Sequence, residues 1–362
     1  MQQIIRAPVF LFALVLAGCN AMATKQTINA IDEHIKITGR YLPVGNIVTY
    51  DWAGVKIAFR TDAPLVQVNL DGGYSDYNIW VDKKLQQVWR AAPSDNYLTL
   101  TFDQGIHLVE IEKRNDPHYA AAHFNGLYLP QGGKLYPVTD IPKRKIEFIG
   151  DSYTVGYGAE GPGVECDNLR PYENVYHSFA SLTARALDAE AHFVAMSGKG
   201  VVRNYGDSES RSDLTQFELS ERVLASRPQP TWDAQFIKTQ QWQPDAVVIK
   251  LGNNDYSTEP HPDSTLFITR LQALMQRVHD QYGEIPIVLF ADTNHTGVAE
   301  NVTKAYDTAA ANIKAQLHLV VLEMPKGDAR LPYVGCDWHP NVEGHKLSAE
   351  PLIEKLRGVL GE

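Results

Sequence analysis

Scarcity narrows the reading of this chain before any motif does. Basic residues are outnumbered: 33 lysines and arginines face 43 aspartates and glutamates, a formal net charge of −10. Phosphate backbones are bound by a basic footprint, so this deficit argues against nucleic acid as a partner. The one basic run, Lys143-Arg144-Lys145, reads as a solvated linker. Long apolar runs are missing too. Ala7 to Leu16, interrupted only by Pro8, is about ten residues where a bilayer span takes about 20. Metal-ligand spacing is equally poor. His339 and His345 stand six apart, not the four of a zinc-binding helix, and His345 reads as a helix residue. The Asp71–Asp82 segment loosely resembles a calcium loop but lacks its terminal Glu. Nothing here requires a metal or a cofactor, and no internal repeat or low-complexity segment is present.

What the first residues do carry is an address. A short apolar stretch behind a single arginine fits the h-region of a secretory signal. Leu16-Ala17-Gly18-Cys19 then resembles the lipobox of bacterial lipoproteins, in which cleavage before the cysteine leaves a lipidated N-terminus. Residues 1–19 are therefore expected to be a lipoprotein signal peptide and Cys19 the lipidation site. The blander alternative is a plain signal cleaved near Ala21 or Ala23. Asn20 is not the aspartate that commonly retains such proteins at the inner membrane, so an outer-membrane anchor, facing the periplasm or the cell surface, is expected. With Cys19 lipidated, only Cys166 and Cys336 remain. An even pair in an oxidising compartment makes a disulfide between them a testable hypothesis.

The remaining chain changes its periodicity once. From about 35 to 135 short alternating runs dominate: Val55, Ile57 and Phe59; Val66, Val68 and Leu70; Leu98, Leu100 and Phe102. Further strands are expected at Tyr77–Val81, Ile106–Glu112 and Phe124–Leu129, separated by turns such as Asp71-Gly72-Gly73. No amphipathic helix interrupts them, which predicts an antiparallel β-sandwich, jelly-roll-like, over 35–135. Past Pro142 apolar runs at Ile146–Ile149, His192–Met196, Ala246–Leu251, Ile285–Phe290 and Leu317–Leu322 alternate with helix-length segments. Those are Asn174–Ala189, Asp233–Gln241, Ser264–Gln281, Ala299–Gln316 and Val342–Leu360. The alternation predicts parallel βαβ units, an α/β fold with a three-layer α/β/α domain over 145–360. Ligands of such sheets bind beyond the carboxyl ends of the strands.

Four short stretches fall at that edge, each weak alone. Gly150-Asp151-Ser152 follows the first apolar run, a turn that exposes a hydroxyl and free N–H groups, although Asp151 and Ser152 could equally cap a helix. Ser197-Gly198-Lys199-Gly200 follows the second, and a glycine amide there suits an oxyanion. Gly252-Asn253-Asn254-Asp255 follows the third, offering a side-chain amide donor. Cys336-Asp337-Trp338-His339 precedes the last helix, placing a general base in a polar loop with a carboxylate nearby.

In this order the four stretches resemble the blocks of the SGNH (GDSL-like) hydrolases. Ser152 matches the block I serine, Gly198 the block II glycine, Asn254 the block III asparagine and His339 the block V histidine. A narrower resemblance covers nearly the whole mature chain: a β-sandwich ahead of GDSYTVGYG, SGKGVVRNYG, KLGNND and GCDWHPN is similar to carbohydrate esterase family two. The resemblance implies an acetyl esterase that removes O-linked acetyl groups from plant polysaccharides such as xylan or glucomannan, with some preference for the 6-position. Ser152 would be the nucleophile and His339 the base, with the Ser152 and Gly198 amides and the Asn254 side chain as oxyanion hole. Most SGNH enzymes carry Asp-x-x-His, whereas Asp337 lies only two residues before His339. Either Asp337 completes a catalytic triad or, as the resemblance allows, a backbone carbonyl orients the imidazole.

Asp255, Tyr205, Tyr256 and Trp338 flank these loops and are expected to contact sugar; Trp232 reads better as packing. Two other readings stay open from the residues: a non-catalytic carbohydrate-binding protein on a hydrolase fold, and an esterase acting on peptidoglycan or lipid esters.

Overall fold

The computed structural model describes residues 25–93 and 95–361; the expected signal peptide, lipobox and Cys19 lie outside them. The alternating half folds into two six-stranded antiparallel sheets. One runs Leu42–Val44, Ile47–Tyr50, Ala122–Pro130, Leu65–Asp71, Tyr97–Thr101, with Lys25–Ile28 also on Ala122–Pro130. The other runs Leu135–Tyr136, Lys56–Thr61, His107–Lys113, Asp76–Val81, Lys84–Arg90, with Ile35–Thr38 on Lys56–Thr61. Period-two patterning explains the central strands. In Leu65–Asp71 the residues Val66, Val68 and Leu70 are fully buried, while Gln67 and Asn69 are not. These side chains share one core with Ile57, Phe59, Ile79, Ile111 and Phe124.

Lys84–Arg90 was not foreseen. As an edge strand exposed on both faces over its first four residues, Lys84 to Gln87, it needs no apolar alternation and gives no sequence signal. The strands before residue 55 escaped because they are only three or four residues long, too short for a period-two pattern to stand out.

The second half is an all-parallel five-stranded sheet, ordered Ala189–Ala195, Arg144–Gly150, Ala246–Lys250, Ile287–Asp292, Leu317–Leu322. The first strand in sequence lies between the second and the third. Chain direction therefore diverges at the end of Arg144–Gly150, the switch point where such sheets bind ligands. Ser264–Tyr282 and Val342–Leu360 are long helices, each opened by a side-chain cap, Asp263 and Asn341. Two expected helices are interrupted. Asn174–Ala189 divides at Ser178, whose extended backbone ends a single turn and caps Phe179–Ala186. Ala299–Gln316 divides into Val298–Asp307 and Ala311–Lys314, because Ala310 is extended.

The two halves are joined through buried polar groups. Arg40 of the sandwich, 1% exposed, pairs with Glu147 at 2.9 Å and donates to the carbonyls of Ser220 and Arg222. Trp52 Nε1 donates to the Val223 carbonyl, and Asp51 accepts the N–H groups of Ala225 and Ser226. These contacts pin residues 220–226, which contain no helix or strand of their own. Buried charges of this kind are costly to unpair, so they fix the register of one domain on the other.

Candidate active site

The carboxyl edge of the parallel sheet brings the four predicted stretches together. Gly150 ends the first strand, and its missing side chain is required: a Cβ there would lie 3.2 Å from the Lys250 carbonyl and 2.0 Å from Thr154 Oγ1. Asp151 is extended and caps the one-turn helix Ser152–Val155 by accepting the Tyr153 N–H at 3.1 Å. Ser152 is thus the first residue of a helix and a candidate nucleophile at once. Its Oγ lies 2.9 Å from His339 Nε2.

His339 Nδ1 lies 3.0 Å from the backbone carbonyl of Asp337. That carbonyl is an acceptor only, so the ring carries its proton on Nδ1 and presents the Nε2 lone pair to Ser152. The Asp337 carboxylate points elsewhere and accepts the Tyr157 hydroxyl at 2.8 Å. The reading of Asp337 as third triad member is corrected here: it orients the imidazole with its main chain. The cause is local backbone. Asp337 and Trp338 both have positive φ, 51° and 62°, a left-handed pair that rotates the carbonyl onto the ring. Such conformations cost about 1–2 kcal/mol per residue and persist where surroundings over-determine them. Here Asp337 N–H donates to the Val164 carbonyl at 2.8 Å, Gly335 N–H to the His339 carbonyl at 2.7 Å and His339 N–H to the Cys336 carbonyl at 3.0 Å. Cys336 is bonded to Cys166, so the expected disulfide is present and ties this turn to the loop that follows the serine helix. Arg330 donates to the Trp338 carbonyl at 2.9 Å.

The imidazole is packed against the rings of Tyr157 and Tyr153, at 4.3 and 5.3 Å between centroids. Desolvation, outweighing the Asp337 carbonyl bond, pushes its pKa down to about 4. The free base is therefore the resting form near neutrality. Beneath the serine turn Lys250 is buried 3.0 Å from Asp292 and 3.8 Å from Asp151, with its Nζ 4.1 Å from the Tyr153 ring centre. Asn253 adds a bond to Asp292 at 3.1 Å. The cluster welds the ends of three adjacent strands. Each member ends or follows a strand, which was the available signal for Lys250 and Asp292; both were missed.

Two strand-end loops supply donors. Gly198 has φ 75°, a conformation open to glycine. Among the described residues no acceptor engages the N–H of Ser152 or of Gly198. Asn254 Nδ2 donates to the Lys199 carbonyl at 2.9 Å, which leaves its second amide hydrogen.

Two sugar-contact expectations fail. Asp255 is fully buried, and its carboxylate accepts the N–H groups of Val201, Val202 and Arg203 at 2.8–3.0 Å; it folds the glycine loop and cannot reach a ligand. Tyr256 is 6% exposed and accepts from Asn301 at 3.0 Å. Tyr205 and Trp338 are exposed, at 62% and 50%. Trp232 is buried and donates to Tyr282. His345 is buried on the last helix, its Nδ1 accepting the Phe179 N–H. Among the described residues no group of three His, Cys, Asp or Glu side chains is arranged to hold a metal, and no helix is long and apolar enough to cross a membrane.

Both halves of the chain are similar to known proteins. The profile of the GDSL-like Lipase/Acylhydrolase family matches residues 148–347, and that of the Carbohydrate esterase 2 N-terminal domain matches 37–138. An acetylxylan esterase / glucomannan deacetylase of Cellvibrio japonicus is 30% identical over 325 residues, 85% of either chain. The cellulase/esterase CelE of Acetivibrio thermocellus is 33% identical over 261 residues, covering 71% of this chain but only 31% of CelE. A solved family two carbohydrate esterase from Clostridium thermocellum, in complex with cellohexaose, superposes with a TM-score of 0.80 at 27% identity, over 90% of this chain and 99% of that one. The chain thus belongs to the GDSL-like lipase/acylhydrolase family and, with its N-terminal domain, to the family two carbohydrate esterases.

Proposed function

We propose that this protein is a serine esterase that removes O-linked acetyl groups from plant cell-wall polysaccharides, acetylated xylan or glucomannan, through an acetyl-enzyme. The 2.9 Å contact of Ser152 Oγ with a neutral imidazole whose far nitrogen is already engaged carries the reading. His339 takes the Ser152 proton as Oγ attacks the acetyl carbonyl carbon. The oxyanion that forms is met by the Ser152 and Gly198 N–H groups and the Asn254 amide. His339 returns the proton to the departing sugar oxygen, and water then hydrolyses the acetyl-serine by the same route in reverse order. The Asp337 carbonyl stabilises the transient imidazolium by its dipole. The relatives named acetylxylan esterase / glucomannan deacetylase support the substrate class.

Trp338, one residue before the base and half exposed, is the platform on which we expect a pyranose ring to stack, with Tyr205 at the rim. The signal and lipobox sequence supports export and anchoring through Cys19 to the outer membrane; Cys19→Ala should move the protein from the membrane to the soluble fraction.

Acetate release from acetylated xylan, glucomannan and peptidoglycan tests the proposal. Ser152→Ala should lower kcat at least about 10⁴-fold without loss of folding. Retained hydrolysis in that variant, or a preference for octanoyl over acetyl esters, would defeat it.

A further inference from the structure

The loop Ser197–Gly200 must be rigid if the Gly198 N–H is to meet an oxyanion, because catalytic donors work only when held close to their productive geometry. Several hydrogen bonds hold it, three of them on successive residues from Ser197 to Lys199. The Tyr205 N–H donates to the Gly198 carbonyl at 2.9 Å, and Asn254 Nδ2 donates to the Lys199 carbonyl. The third comes from the other domain. Asp116 Oδ2 accepts the Ser197 N–H at 2.7 Å, on the peptide that leads into the left-handed Gly198.

Asp116 lies three residues past the sandwich strand His107–Lys113 and is 1% exposed. Its other oxygen accepts the His118 N–H at 3.1 Å and faces His118 Nδ1 at 2.5 Å. Its main chain is gripped as well: the Asp116 N–H donates to Glu173 Oε2 at 3.3 Å, and Lys113 Nζ donates to the Asp116 carbonyl at 3.1 Å. Burial raises the Asp116 pKa, but the bonds and charge of His118, then Ser197, overcome it and hold the carboxyl below its ordinary range. A buried, ionised and doubly anchored carboxylate makes a short charge-assisted bond to an amide. Here that amide starts the oxyanion loop.

We infer that Asp116 is a positioning residue for the Gly198 donor, which makes the N-terminal sandwich a working part of the hydrolytic site. The inference rests on the reading of Gly198 and Asn254 as oxyanion donors. It also explains why the two domains meet through fixed polar contacts: a sliding interface would move the donor.

The test is steady-state hydrolysis of 4-nitrophenyl acetate, a substrate with no sugar for the sandwich to bind. The folded, active fraction is counted by labelling Ser152 with a fluorophosphonate. Asp116→Ala should lower kcat about ten- to hundredfold, short of the loss expected for deleting a donor, with KM within threefold. Asp116→Asn retains an acceptor oxygen and should recover most of that loss. A role in folding or interface stability alone would reduce the labelled fraction and leave kcat per labelled site unchanged, which overturns the inference. So would a loss confined to polysaccharide substrates. If Asp116→Ala does not fold, Asp116→Leu, which fills the space without an acceptor, decides: a kcat per labelled site at least about tenfold lower supports the inference, and a smaller decrease overturns it. Asn254→Ala is measured alongside. If it loses kcat and Asp116→Ala does not, this inference falls alone; if it too keeps wild-type kcat, the oxyanion reading falls with it.

Discussion

Replacing Asp337 by Asn separates a dyad from a triad with little collateral change. The position has φ 51°, and Asn tolerates left-handed backbone better than most residues. Its amide oxygen can still accept the Tyr157 hydroxyl that now bonds the carboxylate at 2.8 Å. The carbonyl that binds Nδ1 at 3.0 Å belongs to the main chain and survives the substitution. What is lost is one exposed negative charge near a transient imidazolium, an interaction across solvent worth about 1 kcal/mol. By transition-state arithmetic that is about fivefold in rate, since about 1.4 kcal/mol is tenfold. A carboxylate acting as the triad member is worth about 10⁴. The two expectations differ by three orders of magnitude, well beyond assay error. Measured on 4-nitrophenyl acetate, kcat for Asp337→Asn should fall less than tenfold. A fall of about 10³ or more would refute the carbonyl mechanism, because it would mean that the carboxylate turns onto Nδ1 in the working enzyme.

Deleting the Asn254 amide with Asn254→Ala should cost about 10²–10³ in kcat, read on the same ester. Because the His339 pKa is depressed to about 4, kcat/KM should hold level from neutrality down and fall as pH drops through about 4; an inflection near 6.5 would contradict it. The sign for stability follows: the unfolded imidazole begins to charge below about 6.5 while the folded one stays neutral, so this group favours unfolding as pH falls from there to about 4, a trend visible in Tm against pH. Breaking the Cys166–Cys336 bridge, which closes a separation of 170 residues, should cost about 2–5 kcal/mol of stability. Calorimetry of Cys166→Ser measures that loss, and kcat should fall in addition because the His339 turn is released. Trp338→Ala should raise KM for acetylated xylo-oligosaccharides by about fivefold or more while sparing 4-nitrophenyl acetate; parallel losses on both esters would remove Trp338 as a sugar platform.

Much of the site was legible because it lies where strands end. Hydrophobic runs located Ile146–Ile149 and Ala246–Leu251 closely, and a serine, a glycine and an asparagine just past such runs must face the same edge once the sheet is parallel. What could not be read was direction. Asp337 next to His339 in sequence says nothing of which of its oxygens meets Nδ1; two successive left-handed residues decide that. Asp255 and Tyr256 beside Asn254 looked equally available to a sugar, but one turn of helix aims them inward, to the backbone of residues 201–203 and to Asn301.

By itself the sequence determined two domains of different periodicity and the parallel sheet, which follow from residue type and local spacing, and its family resemblance singled out Ser152, Gly198, Asn254 and His339 as candidates. Tertiary structure alone decided the rest: that a main-chain carbonyl and not Asp337's carboxylate meets the His339 ring, that Lys250 welds three strand ends, and that Asp116, from 81 residues before Ser197, reaches the Ser197–Gly200 loop. These depend on contacts between segments far apart in the chain, and local pattern carries no record of which distant groups will be brought within hydrogen-bonding distance.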